Sequence, residues 1–123
     1  MSIQIRPISA DELDAFQDAM GVPFGFDPTP EARTCFEKFF ELDRLRAAVD
    51  GDQMVATFGT HSLQLTVPGG SLPTGGTTLV TVLPTHRRQG LLRTLMTEHL
   101  AELHERNEPL AALWASESSI YER

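Results

Sequence analysis

One stretch of the chain constrains its fold more than any other. Residues 77–83, TTLVTVL, are β-branched or apolar throughout, which predicts a central strand buried on both faces. From Leu92 onward, Leu92, Leu95, Met96, His99, Leu100 and Leu103 recur at i, i+3, i+4 spacing, which predicts an amphipathic helix. Between them lies His86–Arg93, HRRQGLLR, with three of the chain's ten Lys and Arg residues packed around Gly90. A strand, a basic glycine turn and a helix therefore form one unit. They do so in a chain whose formal net charge is −7.

That unit has a definite chemistry. A strand running into a helix through a tight turn leaves several backbone N–H groups aimed at one spot, reinforced by the helix dipole. Gly90 lets a ligand approach the backbone closely. Arg87, Arg88 and Arg93 add charge that suits a pyrophosphate. The physical reading is a phosphate-bearing cofactor with its diphosphate on the turn. No Gly-Lys-Ser/Thr follows, so this is no Walker motif, and the three glycines of a dinucleotide fingerprint are missing. Arginines at a helix start also fit a plain solvated surface, and the residue types alone leave both readings open.

The remaining segments supply a sheet around this unit. Ile3, Ile5 and Pro7 alternate with polar residues as in a short strand. Ser9 is placed as an N-cap, Leu13, Phe16 and Met20 form an apolar stripe, and Gly21 predicts the end of that helix. A Gly/Pro loop, GVPFGFDPTP, leads to a second helix from Glu31 to about Glu41, opened by Pro30. RLRAAVD and QMVATFG flank Gly51-Asp52, a hairpin signal. Leu63, Leu65 and Val67 alternate before the turn Pro68-Gly69-Gly70. PLAALWA predicts a further buried strand, and Ser116 the start of a last short helix. The order is β-α-α-β-β-β-α-β-α, an α/β (α+β) arrangement.

Length and composition bound the function. A chain of 123 residues, 41% apolar and 22% charged, reads as one globular domain, residues 1–123. Its acidity disfavours nucleic acid and anionic membranes and suits a cationic partner. The single cysteine, Cys35, excludes an internal disulfide framework and fits a reducing cytoplasm. No apolar run approaches a membrane span, the N-terminus carries no signal-peptide core, and no metal-ligand pattern stands out. The chain stops at Ile120-Tyr121-Glu122-Arg123, inside a helix-like start, so the domain is expected to be incomplete at its C-terminus.

VTVLPTHRRQGLLRTLM resembles the acetyl-CoA-binding segment of GNAT-superfamily N-acetyltransferases, whose pattern is Arg/Gln-x-x-Gly-x-Gly/Ala. Here it maps to Arg87-x-x-Gly90-x-Leu92, with Leu at the small-residue position. That departure resembles the enhanced intracellular survival (Eis-like) branch, which carries Arg-Arg-x-Gly-Leu-Leu-Arg. LQLTVPGG, LPTGG and ASESSIYER are similar to the same branch. The resemblance covers residues 44–123 well and the N-terminal part in outline.

The resemblance implies a GNAT fold: a mixed, mostly antiparallel central sheet flanked by helices, lacking here its C-terminal strands. It implies that Val80, Thr81 and Val82 lie on the acetyl-pantetheine side, on a strand that splays from its neighbour. Arg88, Gln89, Gly90, Leu91, Leu92 and Arg93 would hold the pyrophosphate, largely through backbone N–H groups. Ser116 and Glu117 match further cofactor contacts, and Tyr121, the chain's single tyrosine, matches the general acid that protonates the leaving thiolate. Phe24, Phe26 and Asp27 fall in the loop that shapes the acceptor pocket. The implied reaction is acetyl transfer from acetyl-CoA, without a metal, to a primary amine of a small cationic molecule such as an aminoglycoside, or to a lysine side chain. The alternative is a non-catalytic module that binds CoA or mediates assembly. The resemblance also implies a homo-oligomer, hexameric at full length. His86 is a weaker candidate base, His99 reads as core, and Trp114 as packing.

Overall fold

The structure, a computed structural model, describes residues 3–24 and 29–114. One five-stranded sheet carries the chain, in the order β1 (Ile3–Pro7), β2 (Leu45–Asp50), β3 (Gln53–Val67), β4 (Gly70–Val82) and β5 (Leu110–Leu113). The first four strands pair antiparallel, and β5 runs parallel to β4. The parallel pair needs a crossover, which α3 (Leu91–Glu105) supplies. Helices α1 (Leu13–Phe24) and α2 (Pro30–Phe39) precede β2. This is the expected order through β5; the expected last helix lies outside the described residues.

Alternation along the strands builds a core on each face. Ala47 and Val49 pack with Phe16 of α1, Ile8 and Leu45, and Phe36 of α2 joins their edge. Ala48 and Phe58 face the other way, with Leu91 and Leu95 of α3. The α3 layer sits close because β4 carries glycine beneath it: a Cβ on Gly75 would collide with the side chain of Leu103.

Several expectations are corrected. The first helix opens with a 3-10 turn, Ala10–Glu12, where Ser9 N–H donates to the Glu12 carboxylate at 3.0 Å. It then runs past Gly21 to Phe24, because Gly21 is buried on the inner face beside Met20 and packing overrides its stop signal. Pro30 does open α2, capped by Thr29, whose hydroxyl accepts from Ala32 N–H at 3.2 Å. The two alternating runs around residue 60 are a single 15-residue strand, β3. The far half of the β3–β4 hairpin leaves the core, so Leu63, Leu65 and Leu72 are exposed. Trp114, expected to pack, is fully exposed.

Candidate functional site

Two features meet at the C-terminal end of β4. The first is a strand edge with no partner among the described residues. β4 pairs with β5 from Thr74 to Thr77 only, and then continues five residues to Val82 with no partner on that side among the described residues. Residues 78–80 and 82 are consequently half-buried, not enclosed on both faces as expected. Val80, Thr81 and Val82, expected on a splayed strand, lie along this stretch, and the residues that would continue β5 beside it lie outside the described ones.

The same segment carries a bulge. Gly59 pairs with Thr78 and Thr57 with Thr81, so two residues of β4, Leu79 and Val80, stand opposite Phe58. Leu79 adopts φ 57°, a left-handed conformation uncommon for a residue with a side chain. Val80 and Val82 turn their side chains to the α3 core, and Leu79 turns to the α1 core. The Thr81 hydroxyl is spent inside the sheet on Thr57, at 2.6 Å, so only the backbone of Thr81 faces the open edge. Sequence reasoning missed Leu79 and Thr57; the one available signal was Gly59, a glycine inside a strand, which often marks a bulge.

The second feature is the basic corner. Pro84–His86 form a 3-10 turn, Arg88 (φ 65°) and Gly90 (φ 74°) are both left-handed, and α3 begins at Leu91. Gly90 is the N-cap and offers no side chain. The first intrahelical bond is Thr94 N–H to Gly90 O at 3.1 Å, so the N–H groups of Leu91, Leu92 and Arg93 have no intrahelical acceptor. Among the described residues, and apart from its chain neighbours and the backbone of its own helix, no atom lies within 4 Å of where a Gly90 Cβ would stand. Leu91 anchors the corner in the core, while Arg88, Gln89, Gly90 and Arg93 are exposed and Leu92 is half-buried.

Charge pairing sets the arginines of this corner apart from the other described arginines. Arg6, Arg33, Arg44, Arg46 and Arg106 each pair with a carboxylate. Arg87, Arg88 and Arg93 pair with none among the described residues, in a chain with 17 Asp and Glu. Arg87 instead folds back, its Nε donating to Val82 O at 3.3 Å and tying the corner to the free edge. The arrangement fits a diphosphate followed by an amide-bearing arm that adds its own hydrogen bonds to β4.

Other candidates are placed as follows. His86 Nε2 lies 3.0 Å from Asp50 Oδ2 and its Nδ1 2.8 Å from Thr85 Oγ1, so it links the corner to the β2–β3 turn. His99 is core, as expected. It is fully buried between Thr60 and Thr77, at 3.4 and 2.5 Å, with its ring edge-on to Phe58. Burial, aided by the Arg44 charge, holds its imidazole below the usual histidine range. Phe24 ends α1, with its side chain outside the described residues, as are Phe26 and Asp27. Ser116, Glu117 and Tyr121 also lie outside them. A separate open cleft of about 530 Å³ runs between α1 and the β2–β3 turn, lined by Arg6, Glu12, Asp18 and Asp52. There the Arg6 guanidinium holds the Glu12 carboxyl down at about 2. Among the described residues no cluster is placed to hold a metal ion, and no helix is long and apolar enough to cross a membrane.

The acetyltransferase (GNAT) domain family matches residues 4–123. The chain belongs to the GNAT acetyltransferase family. An uncharacterized N-acetyltransferase of Streptomyces avermitilis is 38% identical over 125 residues, covering 100% of this chain and 31% of that protein. The crystal structure of Eis1 from Mycobacterium abscessus superposes with TM-score 0.85 at 31% identity, covering 99% of this chain and 30% of that one. A predicted acetyltransferase from Clostridium acetobutylicum, solved with acetyl-CoA, shares the GNAT fold at TM-score 0.77 and 19% identity, over 98% of this chain and 87% of that one. The chain thus spans about a third of the length of the Streptomyces and Mycobacterium proteins, and its five-stranded mixed sheet with three helices is a GNAT architecture.

Proposed function

We propose that this GNAT domain binds acetyl-CoA and, within the longer protein, transfers the acetyl group to a primary amine of a small cationic molecule of the aminoglycoside kind. The observation that carries the proposal is the N-terminus of α3, where three arginines with no ion pair among the described residues meet a left-handed glycine at the end of β4. The diphosphate would lie on the N–H groups of Gly90–Arg93, with Arg88 and Arg93 as counter-charges. The pantetheine arm would add to the free edge at Val80–Val82, as an extra strand adds to a sheet. The bound thioester supplies an acetyl group already activated toward an amine. This chain's part is to orient it: backbone N–H groups aimed at a developing oxyanion stabilise it without reorganising.

The resemblance to the Eis-like branch supports further roles. Tyr121 would protonate the departing thiolate, Ser116 and Glu117 would touch the cofactor, and Phe24, Phe26 and Asp27 would wall the acceptor pocket. The acidic surface favours a cationic acceptor over nucleic acid. A lysine side chain is the second acceptor consistent with that charge. Homo-oligomeric assembly and a cytoplasmic location belong to the same reading.

Calorimetric titration of the full-length protein with acetyl-CoA tests the proposal. Saturable binding that weakens as salt rises is the expected result; no binding at low salt overturns it. Free thiol released against a panel of amines then separates an enzyme from a non-catalytic CoA module.

A further inference from the structure

The bulge in β4 is held from the neighbouring strand. Thr57 of β3 donates its hydroxyl proton to Leu79 O at 2.7 Å. A hydroxyl has one proton, so the 2.6 Å contact between the Thr57 and Thr81 oxygens is a bond donated by Thr81. Both threonines are buried, and the pair is closed to solvent. Gly59 completes the arrangement. A Cβ there would stand 3.3 Å from Leu79 Cδ1 and 2.9 Å from Leu45 Cδ2, so the missing side chain makes room for Leu79 in its left-handed conformation.

The consequence lies one atom further along. The peptide joining Leu79 to Val80 is trans, so its C=O and N–H point in opposite directions. With Leu79 O drawn toward β3 by Thr57, Val80 N–H points away from β3, toward the side of β4 that has no partner beyond Thr77 among the described residues. We infer that Thr57 is a positioning residue: by fixing the Leu79–Val80 peptide it aims Val80 N–H at the place where the acetyl carbonyl arrives. This rests on the proposed acetyl-CoA site and adds the side chain that orients it. Thr57 touches no substrate; it acts through Leu79.

Thr57→Val keeps the shape and removes the hydroxyl, whereas Thr57→Ser keeps the hydroxyl. Crystal structures of both full-length variants are expected to show the Leu79–Val80 peptide turned, and Leu79 out of the left-handed region, in Thr57→Val only. Affinity for acetyl-CoA should fall about five-fold relative to affinity for CoA in Thr57→Val and stay within about two-fold of wild type in Thr57→Ser, the worth of one hydrogen bond to the acetyl oxygen. Should Thr57→Val not fold, Gly59→Ala displaces Leu79 instead and should lower the same ratio. An unturned peptide in Thr57→Val, or an acetyl-CoA to CoA ratio that does not change, overturns the inference. A wild-type protein with no affinity for acetyl-CoA overturns the proposed function instead, and leaves the crystallographic arm to judge whether Thr57 sets the peptide.

Discussion

Arg44 and Glu108, 64 positions apart, form a buried two-bond ion pair, with Nη2 to Oε1 at 2.6 Å and Nη1 to Oε2 at 3.1 Å. Arg44 closes the turn before β2 and Glu108 stands two residues before β5, so the pair fixes where the parallel strand joins the sheet. Ser62 accepts a further bond from Arg44 at 3.0 Å.

Removing one partner of such a pair leaves the other charge buried and unmatched. Glu108→Ala is expected to cost roughly 3–5 kcal/mol, and replacing both residues by apolar ones of similar volume far less. Denaturant unfolding of the two variants checks this; equal losses would contradict it.

His99 makes stability depend on pH. Its folded pKa is lowered, so the unfolded chain binds the proton more readily. The stabilisation it represents is complete above the unfolded value of about 6.5 and is lost as pH falls below it. Melting temperature should therefore drop between pH 7.5 and 5.5, and His99→Gln should flatten that dependence. A wild-type melting temperature constant over that interval would refute the assignment.

Arg88→Gln and Arg93→Gln should each weaken acetyl-CoA binding about ten-fold, the scale of one charge-assisted contact to a phosphate. Each should also flatten the salt dependence. Calorimetry at two ionic strengths measures both effects. Because these side chains make no ion pair among the described residues, unfolding free energy should change by no more than about 0.5 kcal/mol.

Gly75→Ala places a methyl group against Leu103 in a packed layer and is expected to cost about 1–3 kcal/mol. Gly90→Ala strains a left-handed residue in open space and should cost about 1 kcal/mol. Thermal unfolding ranks the two: the collision at Gly75 should exceed the strain at Gly90.

Tyr121→Phe in the full-length enzyme should lower turnover on an amine acceptor about 100-fold, the low end for a general acid, and leave acetyl-CoA affinity unchanged. Parallel kinetics and calorimetry decide it, and unchanged turnover would remove Tyr121 from the mechanism.

The features legible in the sequence are those written in neighbouring residues. The Gly51-Asp52 turn, the α3 helix and the basic corner each depend on spacing within a dozen positions, and all three are found, although the buried face of α3 is Leu91, Leu95, His99 and Leu103, and Leu100 is exposed. The bulge was not legible because its causes sit on another strand: Leu79 turns left-handed where Gly59 gives it room and the Thr57 hydroxyl donates to its carbonyl. Gly21 misled because a stop signal is local while its burial against the sheet is not. Trp114 misled because aromatic character predicts burial only where a neighbouring layer exists.

The three arginines of the corner, which make no ion pair among the described residues, have a kinetic meaning as well. On the proposed reading, a polyanion approaching this acidic chain is repelled by most of its charge and drawn in at the basic corner. The field there selects the approach path before any hydrogen bond forms. Salt, which screens over roughly 8 Å at physiological strength, should thus slow capture of the nucleotide more than it hastens release.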